Sequence, residues 1–200
     1  MKFANTLRAL TAAIAFATAA QAGAAPILLT NSNGILTGAT GVDVGGTIYD
    51  VTFADGSCNS LFNGCTQSAF TFRNPTDAAR AAQAVIDQVF INGPAGYFDD
   101  HPSKILGCAN EFYCYTVVPY SLSGGYVAGA AATNYSNIDA RRDAVVYPHI
   151  EASSDLSTYT TFNFAIFQLA PLPVDVPEPA SIALFGVAIA GLTLSRRRKK

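Results

Sequence analysis

The chain has 200 residues, half of them apolar and only 13% charged, against about 25% charged in an ordinary soluble domain. That length suits one domain, that apolar content excludes the disordered classes, and a net charge of −2 argues against a general nucleic-acid binder. The average hides a division, because residues 25–175 carry five Lys/Arg against thirteen Asp/Glu, a net charge of −8, while both ends are basic.

The first 24 residues read as an address. Lys2 and Arg8 precede the apolar run Ala9–Ala17, and Ala20-Gln21-Ala22 and Ala22-Gly23-Ala24 both suit signal peptidase. This order predicts a secretory signal peptide over residues 1–24, with signal peptidase and the general secretion machinery as partners. An uncleaved anchor is the rival, and the short, Ala-rich run that ends in small residues argues against it.

Residues 25–169 suffice for one hydrophobic core and are expected to fold as α+β with a mainly antiparallel sheet. Tyr49, Val51 and Phe53 alternate with Ile48, Asp50 and Thr52, and Phe70 and Phe72 with Thr71 and Arg73; both stretches predict strands. Gly45-Gly46 and Asp55-Gly56 are turn signals. One amphipathic helix is expected over about 75–91. Asn74 offers the N-cap, Pro75 the first position and Asp77 an acid in the first turn. Ala78, Ala82, Val85, Ile86, Val89 and Phe90 form its apolar face, and Asn92-Gly93-Pro94 ends it. Asp77, Arg80, Asp87 and Gln88 are left for solvent. Further strands are expected over Glu111–Val118, Tyr126–Thr133 and Thr158–Leu169, the last with Phe162, Phe164 and Ile166 on one face. Val145-Val146-Tyr147 before Pro148 suggests an edge strand.

All four cysteines, Cys58, Cys65, Cys108 and Cys114, fall in this body. In an exported chain they predict disulfides. Three pairings are possible, and the local one, Cys58–Cys65 with Cys108–Cys114, closes two short loops and is the expectation. A zinc site is the rival, but there is no C-x-x-C pair and only two histidines, His101 and His149. No metal, cofactor or catalytic set is expected. Asp99-Asp100-His101 reads first as a polar loop, and as the best candidate if the body is a hydrolase. Ser121 and Ser123 could join a histidine and an acid in a triad, yet no G-x-S-x-G elbow supports it. His149-Ile150-Glu151 lacks the P-C-x-x-C partner of a zinc deaminase. Asp43, Asp50 and Asp55 do not form a calcium-loop pattern. Asn134-Tyr135-Ser136 is a formal glycosylation sequon, read as chance. The many Tyr and Phe residues are assigned chiefly to the core, with an exposed sugar-stacking platform as the alternative.

After the body, residues 170–176 (Ala170-Pro171-Leu172-Pro173-Val174-Asp175-Val176) read as a stiff Pro-rich stalk. Pro177-Glu178-Pro179 follows, then an uncharged apolar stretch predicting a transmembrane helix over 181–195, then Arg196, Arg197, Arg198, Lys199 and Lys200. The stretch is short for a bilayer, but snorkelling cations make up the difference. The basic tail keeps that end in the cytoplasm, leaving the acidic body exported.

This tripartite end closely resembles, over residues 176–200, the PEP-CTERM sorting signal: a Pro-Glu-Pro motif, one transmembrane helix and a terminal Arg/Lys cluster, which with the N-terminal signal peptide, and not the exported body, carries the resemblance. The resemblance implies a Gram-negative bacterial substrate of exosortase, with Pro177, Glu178 and Pro179 as the recognised motif. It implies anchoring in the inner membrane before processing, then delivery to the cell surface or extracellular matrix in bacteria that make exopolysaccharide. A non-enzymatic structural or adhesive role is the first expectation for the body. A polysaccharide- or peptide-acting hydrolase, or a carbohydrate-binding module, is the alternative.

Overall fold

The computed structural model describes residues 25–137 and 142–171. The chain divides into two units, Met1–Ala170 and Pro171–Lys200, and all the described residues except Pro171 belong to the first. In order they form β1 (Ile27–Thr30), β2 (Leu36–Val44), β3 (Thr47–Ala54), α1 (Cys58–Leu61), α2 (Pro75–Gln88), β4 (Asn92–Gly93), β5 (Gly96–Tyr97), β6 (Tyr113–Ser123), β7 (Tyr126–Tyr135), β8 (Val145–Val146), β9 (His149–Glu151) and β10 (Phe162–Leu169). The expected signal peptide and the expected membrane helix over 181–195 lie outside the described residues. Among those described, no helix is long and apolar enough to cross a membrane.

The main sheet runs β1-β2-β3-β10-β6-β7-β8, with β9 also pairing β7. Every pairing is antiparallel except β10 with β6. The body is therefore β-rich α+β with a mainly antiparallel sheet. β10, last in the chain, is central. It pairs with β3 from Phe164–Ala54 to Leu169–Tyr49 and with β6 only over Phe162–Phe164. The turn between β2 and β3 is Gly45-Gly46, φ 62° and 90°, the left-handed pair that matches the twist of a two-residue hairpin.

α2 follows its capping chemistry. The Asn74 side chain accepts from the Asp77 amide at 2.9 Å, Pro75 opens the helix, and Ala78, Ala81, Ala82, Ala84 and Val85 are buried. This small-residue face packs against β7, β6 and β2, with Ala130 and Ala132 of β7 in the same core. The helix ends at Gln88 rather than near 91. Val89 and Phe90 remain buried, so the apolar periodicity outlives the helix. Asn92–Gly93 then pairs with Gly96–Tyr97 in a small hairpin instead of merely stopping the chain.

Two cores result, one on each face of the sheet. The helix side holds Leu36, Val42, Val51, Phe53, Val85, Phe90 and Phe167. The other side holds Phe62, Phe70, Val117, Val127, Leu156 and Phe164, with α1 and the loops above them. Phe162, Phe164 and Ile166 do share that second side, while Ala165 and Phe167 serve the first.

Phe70–Arg73 is not a strand. A 3-10 turn spans Gln67–Ala69, and the following residues pair with no ladder. Phe70 belongs to one core and Phe72 to the other, so the chain crosses between the faces here. Thr71 makes the crossing, its hydroxyl donating to the Phe167 carbonyl at 2.6 Å, beyond the short stretch where β10 and β6 pair.

Candidate functional site

The cysteines come together in the local pairs. Cys58 and Cys65 lie with Cα atoms 5.0 Å apart, and Cys108 and Cys114 with theirs 5.8 Å apart, each pair at disulfide distance. All four are buried. The first pair ties α1 to the loop-side core and the second sits under the helix-side core.

The candidate chemical residues are mostly kept apart. Ser121 and His149 both stand opposite Ala128, on either side of β7, so they are two strand spacings apart, about 9.5 Å. His101 Nδ1 lies 3.0 Å from the Tyr97 carbonyl oxygen rather than against Asp99 or Asp100. Asp43 accepts from the Gly46 amide and Asp50 from the Gly41 amide, which makes them turn and bulge acceptors. Burial raises the Asp55 carboxyl, the Gly56 amide opposes this, and the charge of Asp155 raises it further. Asn134 of the sequon is fully buried, with its amide donating to the Phe98 carbonyl at 2.7 Å, so it is closed to a glycosylating enzyme. On α2, Arg80 pairs with Asp77 at 3.0 Å, while Gln88 clamps the backbone of Asp43 through both ends of its amide.

One cavity does gather polar groups. It measures about 330 Å³ and is lined by Asp100, His101, Ser103, Glu111, Ser136 and Asn137. Three segments build it: the residues after β5, the approach to β6, and the end of β7. Asp143, just beyond, accepts from the Tyr135 amide at 2.7 Å. Burial pushes its carboxyl up to about 6, the Tyr135 bond opposes this, and the negative charge of Asp99 adds to it. Asp99 is itself raised, first by burial and then by Asp100. Two buried oxygens of this region, Asn134 Oδ1 and Ser136 Oγ, have no hydrogen-bond partner among the described residues. Sequence reasoning singled out Asp99-Asp100-His101 but missed Asp143, Asn134 and Ser136 as members of one cluster. No local pattern links them, because the ties are long-range hydrogen bonds, Asn134 to the Phe98 carbonyl and the Tyr135 amide to Asp143. Among the described residues, no group of three or more His, Cys, Asp or Glu side chains is arranged to hold a metal ion.

A second depression, about 220 Å³, is lined by Tyr159, Phe162, Leu156 and Ile150 with His149, Glu151 and Ser154 at its polar side. Tyr159 is about half exposed, at 51%. Phe162 stacks on Tyr115 with ring centroids 4.9 Å apart, and Tyr113 and Tyr135 lie beside Tyr115 on the same sheet face.

The body is followed in sequence by Pro-rich, apolar and basic segments, the order expected of a C-terminal sorting signal. Comparison with known families makes the class particular: residues 175–199 match the PEP-CTERM protein-sorting motif, so the chain is a PEP-CTERM motif-containing protein. That motif supports export and sorting by exosortase, and makes exosortase its processing partner. No curated protein and no solved structure matches the chain.

Proposed function

We propose that this is a non-enzymatic surface or extracellular-matrix protein. It is exported by its N-terminal signal, held in the inner membrane by residues 181–195, released by exosortase at Pro177-Glu178-Pro179, and adheres among exopolysaccharide. The observation that carries the reading is the sorting motif at residues 175–199. Two further features support it. The paired cysteines suit an oxidising compartment. The depression beneath Tyr159 combines aromatic walls with Glu151, His149 and Ser154, the mixture of apolar surface and placed polar groups that small-ligand sites use.

The test is intact mass and fractionation of the protein from its native host. A mature form spanning about residues 25–177, recovered outside the inner membrane, is the expected result. A form that keeps Leu194 and the Arg196–Lys200 tail in the inner membrane defeats the proposal. Replacing Pro177, Glu178 and Pro179 with alanine should block that release while leaving export and folding intact; unchanged processing of the variant removes exosortase from the account.

A further inference from the structure

We propose that the cavity between the β2–β3 turn and the start of α2 binds a monoanionic carboxylate that also carries hydroxyls, the chemistry of a uronate sugar. This is a different place from the depression beneath Tyr159, and the inference does not rest on the adhesive reading.

The cavity measures about 560 Å³, within the range of small-ligand sites. Thr47 and Tyr49 of β3 contribute one wall, and Arg73, Asn74, Asp77 and Arg80 another. Local sequence places that second wall. Asn74, Asp77 and Arg80 follow at intervals of three, which sets them on one helix face, and Arg73 directly precedes the N-cap.

Charge sets this cavity apart from the body around it. Residues 25–175 carry five Lys/Arg against thirteen Asp/Glu, yet two of the five line this one space. Arg80 is paired with Asp77 at 3.0 Å. Arg73 has no acid at ion-pair distance among the described residues; its Nη2 atom donates to the Ser68 carbonyl at 3.2 Å. Two guanidiniums against one carboxylate leave one positive charge in the cavity.

Both guanidinium heads are held without being used up. Each offers five N–H donors, and each commits one nitrogen: Arg73 Nη2 to Ser68, and Arg80 Nη1 to Asp77. The remaining N–H groups suit the two oxygens of a carboxylate. Net charge then selects among anions. A monoanion balances the single positive charge. A phosphate or sulfate dianion would leave excess negative charge beside Asp77, in a body that already stands at −8 over residues 25–175.

The apolar wall argues for more than a bare carboxylate. The Tyr49 ring is fixed by Phe72 and Phe167, with centroids 5.4 and 6.0 Å away, so it presents a rigid face to the carbon skeleton of a ring. Thr47 adds a hydroxyl that can both donate and accept. A simple carboxylate would leave these groups unused, and a neutral sugar would leave Arg73 without counter-charge.

The experiment uses the full chain in detergent, titrated with sodium glucuronate and followed by saturation-transfer NMR. Glucose, acetate and phosphate serve as comparisons at equal ionic strength. Glucuronate should bind in the millimolar range, because exposed charge pairs each contribute little, and the three comparisons should bind about fivefold more weakly or worse. Arg73→Gln and Arg80→Gln should each weaken glucuronate binding about fivefold. Asp77→Asn should tighten it about threefold, because it frees Arg80 from a competing charge; a merely structural role for Asp77 gives no such gain. Near-ultraviolet dichroism checks that each variant is folded. Absence of glucuronate binding in the millimolar range overturns the proposal. So does glucose, acetate or phosphate binding as tightly as glucuronate, and so does binding that survives unchanged in both folded arginine variants.

Discussion

Asp143→Asn should make the protein more stable at neutral pH. The Asp143 carboxyl lies at about 6, raised from 3.8 mainly by burial. The sign follows from linkage. A raised carboxyl holds its proton more tightly in the folded state than in the unfolded one, so folding carries no penalty below about pH 4. The penalty grows as pH rises through 6 and is complete above it. A displacement from 3.8 to about 6 amounts to about 3 kcal/mol, and screening of a half-buried group reduces this to about 1–1.5 kcal/mol. Asparagine does not ionise, yet its Oδ1 can still accept from the Tyr135 amide, so the strand end keeps its bond. Thermal melts should therefore show the variant about 3–5 °C above wild type at pH 7.5, the gap narrowing towards pH 4. A variant less stable than wild type at pH 7.5, or a gap that does not change with pH, refutes the reasoning.

Two stability predictions concern the frame. Replacing Cys58 and Cys65 together by serine releases a loop of sequence separation 7, which loop-closure entropy values at about 2.5 kcal/mol; guanidinium unfolding without reductant measures it. Gly38→Ala should cost on the order of 3 kcal/mol or more, because its φ is +154° and an added Cβ would sit 2.1 Å from the Val51 carbonyl oxygen. A soluble, normally cooperative alanine variant with unchanged midpoint would mean that β2 and β3 do not approach as described.

Local chemistry made α2 readable, since its cap, first proline and small-residue face are all encoded within fifteen residues. Alternation likewise located β3 and β10, while aromatic and β-branched composition located β6 and a small apolar run located β7. β1 and β2 escaped because Gly34, Gly38 and Gly41 interrupt the pattern, and β2 carries a register shift between Ala39 and Val42. Phe70 and Phe72 misled for a different reason: period-two spacing reports alternate burial, and here the alternation serves a chain passing between two cores. The sorting segment was legible because its recognition depends on linear order alone. The acidic cluster was half legible. Asp99 and Asp100 are neighbours in sequence, whereas Asn134 and Asp143 are tied to that region and to the end of β7 only by the Asn134–Phe98 and Tyr135–Asp143 hydrogen bonds.

The central place of β10 orders events in time. β1–β3 lie on one side of it and β6–β9 on the other, so the halves of the sheet can join only once this last strand, which ends at residue 169, is available to pair with β3 and β6. Only five residues separate that point from the start of the sorting motif at residue 175. The sheet is thus completed only by its last strand, directly upstream of the sorting motif. Cleavage at the proposed site would cost the sheet nothing, because the last strand-edge bond, from the Ala170 amide to the Ile48 carbonyl, lies upstream of it.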